Sequence, residues 1–304
     1  MNQQPQQPIV SSAVVRNVPT GPARKGPTGI EPARINAGQP GTEKGPVELE
    51  GLTARIDAKG IYYKTLNEQI REQIEDGATT VVLDNINGQR YIGGGIKALG
   101  VTIVINGVPG NDLATFMNGP TLVVNENAQD GVANTMNAGL VVVNGDAGDV
   151  LGYGMRGGSL YVRGDVGYRV GIHMKAFEDQ RPVIVAGGRA RDFLGEYMAG
   201  GELMLLGLSG GSASGEVRDE PLVGSYVGTG MHGGVIYLRG LVEEHQLGKE
   251  VALAAPDDAD RARIHELVTD FCHVMGLDVA EILSVPFVKL FPYSHRPYGK
   301  MYAY

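Results

Sequence analysis

Gly152–Phe177 reads GYGMRGGSLYVRGDVGYRVGIHMKAF. The segment states one phrase twice, glycine, spacer, methionine and small residues, with Met155 and Met174 19 positions apart. It also contains Gly152-x-Gly154-x-x-Gly157, the pattern of a dinucleotide-binding loop. Such a loop needs a strand before it and a helix opening at its last glycine. Gly157 is followed instead by GSLYV, a strand pattern, and a second copy, Gly228-x-Gly230-x-x-Gly233, is followed by GVIYL. Both are read as corners of a repeating unit, not as phosphate cradles.

The repeat extends in both directions. Met117, Met136, Met155 and Met174 recur every 19 residues, and Ala98 continues the spacing backward. Met198 follows after 24 residues and Met231 after 33, which places insertions at 177–181 and 207–221. Four positions before each methionine stand Leu113, Val132, Leu151, Val170, Leu194 and Val227; three before stand Ala114, Ala133, Gly152, Gly171, Gly195 and Gly228, with Gly95 in the earlier turn. Runs such as TLVV, LVVV and SLYV are too short for helices and lie between glycine-rich corners, so they are strands. One strand group per turn, stacked at about 4.8 Å, builds a coil. The fold expected is mainly β: a right-handed parallel β-helix of about seven turns, with flanking helices and a flexible N-terminal arm. Glycines permit positive φ at the corners, and methionine fills the bore because its thioether adapts.

The remaining segments follow from composition. Residues 1–48 are rich in Gln, Pro and Gly and carry scattered Arg16, Arg24, Lys25 and Arg34, the pattern of a flexible arm. Residues 49–85 hold an opening helix, with Thr65 as N-cap and Leu66, Ile70 and Ile74 at helical spacing, then a strand over TTVVLDNI. The β-helix occupies 86–240. Residues 241–304 supply helices near 257–275 and 278–283 and an aromatic, basic ending, FVKLFPYSHRPYGKMYAY, that reads as a docking tail.

Bulk properties exclude several classes. Net charge is -8 and no basic patch occurs, which argues against nucleic acid. The single cysteine, Cys272, allows no disulfide within the chain and suits a reducing cytoplasm. No run of 18 apolar residues is present, so no membrane span is expected. Glycine is the outlier, at 46 of 304 residues, about twice the usual ~7%.

Polar residues gather in one column six before the methionine: Asn111, Asp130, Asp149 and Asp192, interrupted by Tyr168 and Ser225. They are read as caps for corner N–H groups, because stacked carboxylates without donors repel. The six histidines, His173, His232, His245, His265, His273 and His295, show no zinc-ligand spacing. Cys272 sits in an apolar helix and is read as a core thiol. Six positions after the methionine the side chains face outward, yet Val123, Val142, Tyr161, Val185, Met204 and Tyr237 are all apolar. A free rod would be polar there, so this wall is covered. The C-terminal helices are expected to cover part of it and a partner the rest; these six, with Arg296 and Tyr298 in the tail, are the partner-interface candidates. No catalytic, cofactor or metal residue is assigned in the chain.

The motifs GNDLATFMNGPTLVV, GEYMAGG, GTGMHGGVIYLRG and RPYGK, with the opening segment, resemble the glycine-repeat (GXGXG) domain forming the C-terminal third of the glutamate synthase large subunit, over roughly Tyr62–Tyr304. Formylmethanofuran dehydrogenase has a similar repeat in its C subunit. The resemblance implies a non-catalytic scaffold in a glutamate synthase-type complex. Its partners would be a glutaminase subunit and a synthase subunit with FMN and an iron–sulfur cluster, and this chain would hold no cofactor. The alternatives are a C subunit of a formyl-transferring dehydrogenase or an N-methylglutamate synthase complex. A third is an independent β-helix enzyme using Glu178, Asp179, Arg181, Glu216, Arg218, Asp219 and Glu220 at the insertions.

Overall fold

The computed structural model describes residues 51–208 and 221–293. The arm expected over 1–48 and the tail residues Arg296 and Tyr298 lie outside the described residues. Nine strands follow one another in a single sheet, each parallel to the next: β1 (Thr53–Asp57), β2 (Thr80–Asn87), β3 (Thr102–Val108), β4 (Asn118–Val124), β5 (Ala138–Val143), β6 (Ser159–Val162), β7 (Val183–Ala186), β8 (Ala199–Leu205) and β9 (Gly233–Arg239). The register confirms the repeat, since Leu122, Val141, Leu160, Ile184, Leu203 and Ile236 pair in succession through intervals that include both insertions. The molecule is a parallel β-solenoid.

The bore is lined by that column and by the methionines, all of them fully buried. Side chains of this size contribute roughly 1.5–3 kcal/mol each on burial. Glycines set how closely the rungs pack. A Cβ on Gly201 would stand 3.0 Å from Met174 Cε, and one on Gly234 would stand 2.5 Å from Met198 Cε. Each glycine three places after a methionine thus leaves room for the methyl of the methionine below.

In the first rung the spacing differs from expectation. Asn118 N–H donates to Ile96 O, as Asn137 N–H does to Met117 O, and Ile96 is buried. Ile96, not Ala98, therefore occupies the methionine column, 21 residues before Met117, and Gly93 rather than Gly95 takes the small-residue position. A longer loop after Ile96 absorbs the two extra residues.

The opening helix α1 (Tyr63–Glu75) starts earlier than its sequence signal: Tyr62 is the N-cap, with no side-chain capping bond, and Thr65 lies inside the first turn. Asn67 Nδ2 instead ties the first turn to the solenoid, donating to Tyr63 O at 2.8 Å and across to Arg90 O at 2.9 Å. Leu66 and Ile70 face the core. At the other end α2 (Asp258–Met275) opens on a reciprocal Asp257–Asp260 capping box and closes at Gly276, φ 68°. The short α3 (Val279–Leu283) follows, capped by Asp278. β11 (Phe287–Pro292) then pairs antiparallel with β9, and β10 (Val251–Ala254) pairs antiparallel with β11. The first part of the expected docking tail is thus a strand of the same sheet, and it ends the run of parallel pairing.

Candidate functional site

The apolar outer wall has its predicted register: Val123, Val142, Tyr161, Val185, Met204 and Tyr237 pair in that order. Its cover is the chain's own C-terminal region. All six are buried in one cluster with Ile264, Leu267, Val268, Phe271, Cys272 and Met275 of α2. The Tyr161 and Phe271 rings meet edge to face at 5.8 Å. The assignment of these six to a partner interface is therefore corrected: an amphipathic helix laid along the wall removes it from solvent. The helix is pinned by Arg263, which donates to Glu202 at 2.7–3.1 Å, and by Arg163, whose guanidinium meets Met275 O. Burial pushes the Cys272 thiol up to about 12, which leaves it protonated and unreactive at neutral pH.

The polar corner columns form hydrogen-bond ladders. Asp130 Oδ1 accepts from Asp149 N–H at 2.9 Å, Asp149 Oδ1 from Tyr168 N–H at 2.8 Å, and Asp192 Oδ1 from Ser225 N–H at 2.8 Å. A second ladder, not picked out from sequence, runs from Asn127 to Asp146, Asp165 and Arg189 N–H at 2.8–2.9 Å. A third passes through side-chain amides, Asn125 Nδ2 to Asn106 Oδ1 and Asn106 Nδ2 to Asp84 Oδ1, both at 2.7 Å. These carboxylates are occupied from rung to rung. The ladders also explain one glycine column. Gly148, Gly167 and Gly224 do not adopt positive φ; a Cβ on any of them would run into the aspartate of the preceding rung. Here glycine serves close approach, not left-handed backbone.

Left-handed backbone does occur at alternate positions around the methionine corner, five, three and one before it. Gly152 and Gly154 have φ 63° and 56°, and the pattern persists where glycine is absent: Phe116, Arg169, His173, Phe193, Tyr197 and Tyr226 have φ between 52° and 65°. For bulky residues that conformation costs on the order of 1–3 kcal/mol each. Gly157 opens no helix; β6 follows it, and β9 contains Gly233, so neither glycine triplet is a nucleotide loop.

These strained residues build an exposed aromatic edge. Arg169 lies 4.4 Å over the Phe193 ring, which stacks on Tyr226 at 5.0 Å, while the Arg169 guanidinium also meets the buried Glu196 carboxylate. His173 stacks on Tyr197 at 5.2 Å and meets Tyr153 edge-on at 5.8 Å. Phe116 and Tyr226 are more than half exposed. Sequence reading missed this edge, although the same repeat alignment carries it in the columns one and five before the methionine. His232 lies at the same corner, its Nδ1 3.2 Å from Gly230 O.

A polar cleft of about 1180 Å³ opens by the first rungs, lined by Asp57, Asp84, Asn85, Gln89 and Asn106. Hydrogen bonding from Asn85 holds the Asp57 carboxyl below the usual range, and Asn106 does the same for Asp84. Gln89 Nε2 is spent on Ala58 O at 3.0 Å. Among the described residues no group of three or more His, Cys, Asp or Glu is placed to hold a metal, and no helix is long and apolar enough to cross a membrane. Glu178, Asp179 and Arg181 are exposed on the first insertion; Glu216, Arg218, Asp219 and Glu220 lie outside the described residues.

A glycine-cornered parallel solenoid with one wall sealed by its own helix and one edge left aromatic defines a β-solenoid repeat protein. The chain belongs to the GXGXG motif family, whose profile matches residues 63–292. It is 45% identical over 253 residues to uncharacterized protein MJ1350 of Methanocaldococcus jannaschii, covering 81% of this chain and 95% of that protein. Among solved structures it is similar to a chain of the formyltransferase/hydrolase complex of Methylorubrum extorquens, crystallised with methylofuran. The TM-score is 0.50 at 20% identity, over 76% of this chain and 88% of that one.

Proposed function

We propose that this chain is a scaffold subunit of a multi-subunit enzyme complex of the formyl-transferring kind, one that positions catalytic partners without supplying the reacting side chains. The observation that carries the reading is a division of labour across the surface. Ladder carboxylates and amides are bound from rung to rung, while aromatic side chains crowd one exposed edge. Similarity to a chain of a formyltransferase/hydrolase complex supports the choice of complex.

The second reading is a glutamate synthase-type complex, favoured by the repeat motifs around Met155 and Met231. In that reading FMN and an iron–sulfur cluster reside in a synthase partner and ammonia comes from a glutaminase partner. Isolating the native assembly through a tag on this chain separates the two. Formyl transfer by the assembly supports the first; flavin and iron–sulfur absorption with glutamine-dependent glutamate formation supports the second. A chain that sediments alone at all concentrations overturns both.

A further inference from the structure

We infer that the aromatic edge is the docking face for an acidic segment of a partner subunit; this rests on the scaffold reading above. Two independent features meet there. The first is backbone conformation. In the column one before the methionine, Gly95, Gly154 and Gly230 take left-handed φ freely, but Phe116, His173 and Tyr197 take φ 55°, 55° and 52° in the same place. Glycine would satisfy the corner at lower conformational cost, so the fold alone does not call for aromatic rings at these positions.

The second is charge. The column one after the methionine runs Lys97, Asn118, Asn137, Arg156, Lys175, Ala199 and His232, with no carboxylate, in a chain whose net charge is -8. Lys97, Arg156 and Lys175 are exposed. Exposed aromatic rings at a corner that also carries Lys97 and, on consecutive rungs, Arg156 and Lys175, on an otherwise acidic protein, match a partner segment that carries Asp and Glu among apolar residues. The rings supply desolvated anchors and the cations supply steering and register. The chain's own acidity disfavours a second copy of itself as occupant.

The test places a photo-crosslinking phenylalanine analogue at Phe116, at Tyr197 and, as a control, at Leu253 of β10, in the full chain within the native assembly. Crosslinks from Phe116 and Tyr197 to a partner peptide rich in Asp and Glu are the expected result. A chain carrying both Arg156→Glu and Lys175→Glu should bind the partner roughly tenfold more weakly or worse, with a flatter salt dependence. The inference falls if an assembly of intact size yields crosslinks only from Leu253. It also falls if the edge crosslinks to another copy of this chain or to a segment without acidic excess. If the chain sediments alone, the scaffold reading itself falls and takes the inference with it.

Discussion

Tyr237 donates its hydroxyl to Asp260 at 2.8 Å, joining the solenoid's last parallel strand to the first turn of the helix that seals its wall. Lys289 of β11 meets the same carboxylate at 2.7–2.8 Å, and Asp260 closes the α2 capping box. Burial opposes ionisation of Asp260, but Lys289, the Asp257 N–H and the Tyr237 hydroxyl more than offset it and hold its carboxyl below the ordinary range. One carboxylate therefore ties together β9, α2 and β11.

Removing it should loosen all three. Asp260→Ala leaves the Tyr237 hydroxyl and the Lys289 amine short of a partner, and is expected to cost about 1–3 kcal/mol in urea unfolding. Because the folded pKa is lowered, the charge-dependent stability is present above the unfolded carboxylate value of about 3.9 and is lost as pH falls through the folded value. Asp260→Asn should flatten the acid limb of the stability profile; an unchanged slope would show that the carboxylate's charge is not what holds the seam.

Phe271 lies against Tyr161, and truncation opens a cavity between helix and wall. Phe271→Ala is expected to destabilise by roughly 3–5 kcal/mol. Tyr161→Asp should likewise lower stability of the isolated chain, since it buries a carboxylate beneath Phe271. Were Tyr161→Asp to leave the melting temperature intact, the covered wall would be misassigned.

Gly152 has φ 63°, and a Cβ there would press on Ile184 Cδ1. Ala114 and Ala133 occupy the equivalent place with φ 60°, so Gly152→Ala should cost only about 1–2 kcal/mol. Gly152→Val adds crowding to left-handed strain and should cost about 2–6 kcal/mol, read from paired thermal melts. Equal melting temperatures for the two variants would count against the corner geometry.

Cys272 should resist alkylation at pH 8 in the folded chain and react fully once denaturant is added. Its raised folded pKa means that the associated stability is complete below the ordinary thiol value of about 8.5 and disappears as pH climbs toward about 12. Rapid modification of the native thiol would place Cys272 outside the core.

Sequence by itself determined the solenoid. A 19-residue period presents each structural position several times over, so the bore, the corner glycines, the strands and the buried methionines could be read by columns. The bounds of α2 and α3 were also legible, because Asp257, Gly276 and Asp278 are local stop and start chemistry. The outer wall was recognised as covered, but only the tertiary structure decided by what: the contact from Arg163 to Met275 spans 112 residues, and no local pattern encodes where a helix folds back. The same holds for β1, β10 and β11, whose strand identity comes from neighbours they meet in space. It holds too for Ile96, placed in the methionine column by interstrand hydrogen bonds where counting by 19 chose Ala98. A repeat fixes what recurs along the chain; the segments that close, seal and offset it are fixed by packing between residues far apart in it.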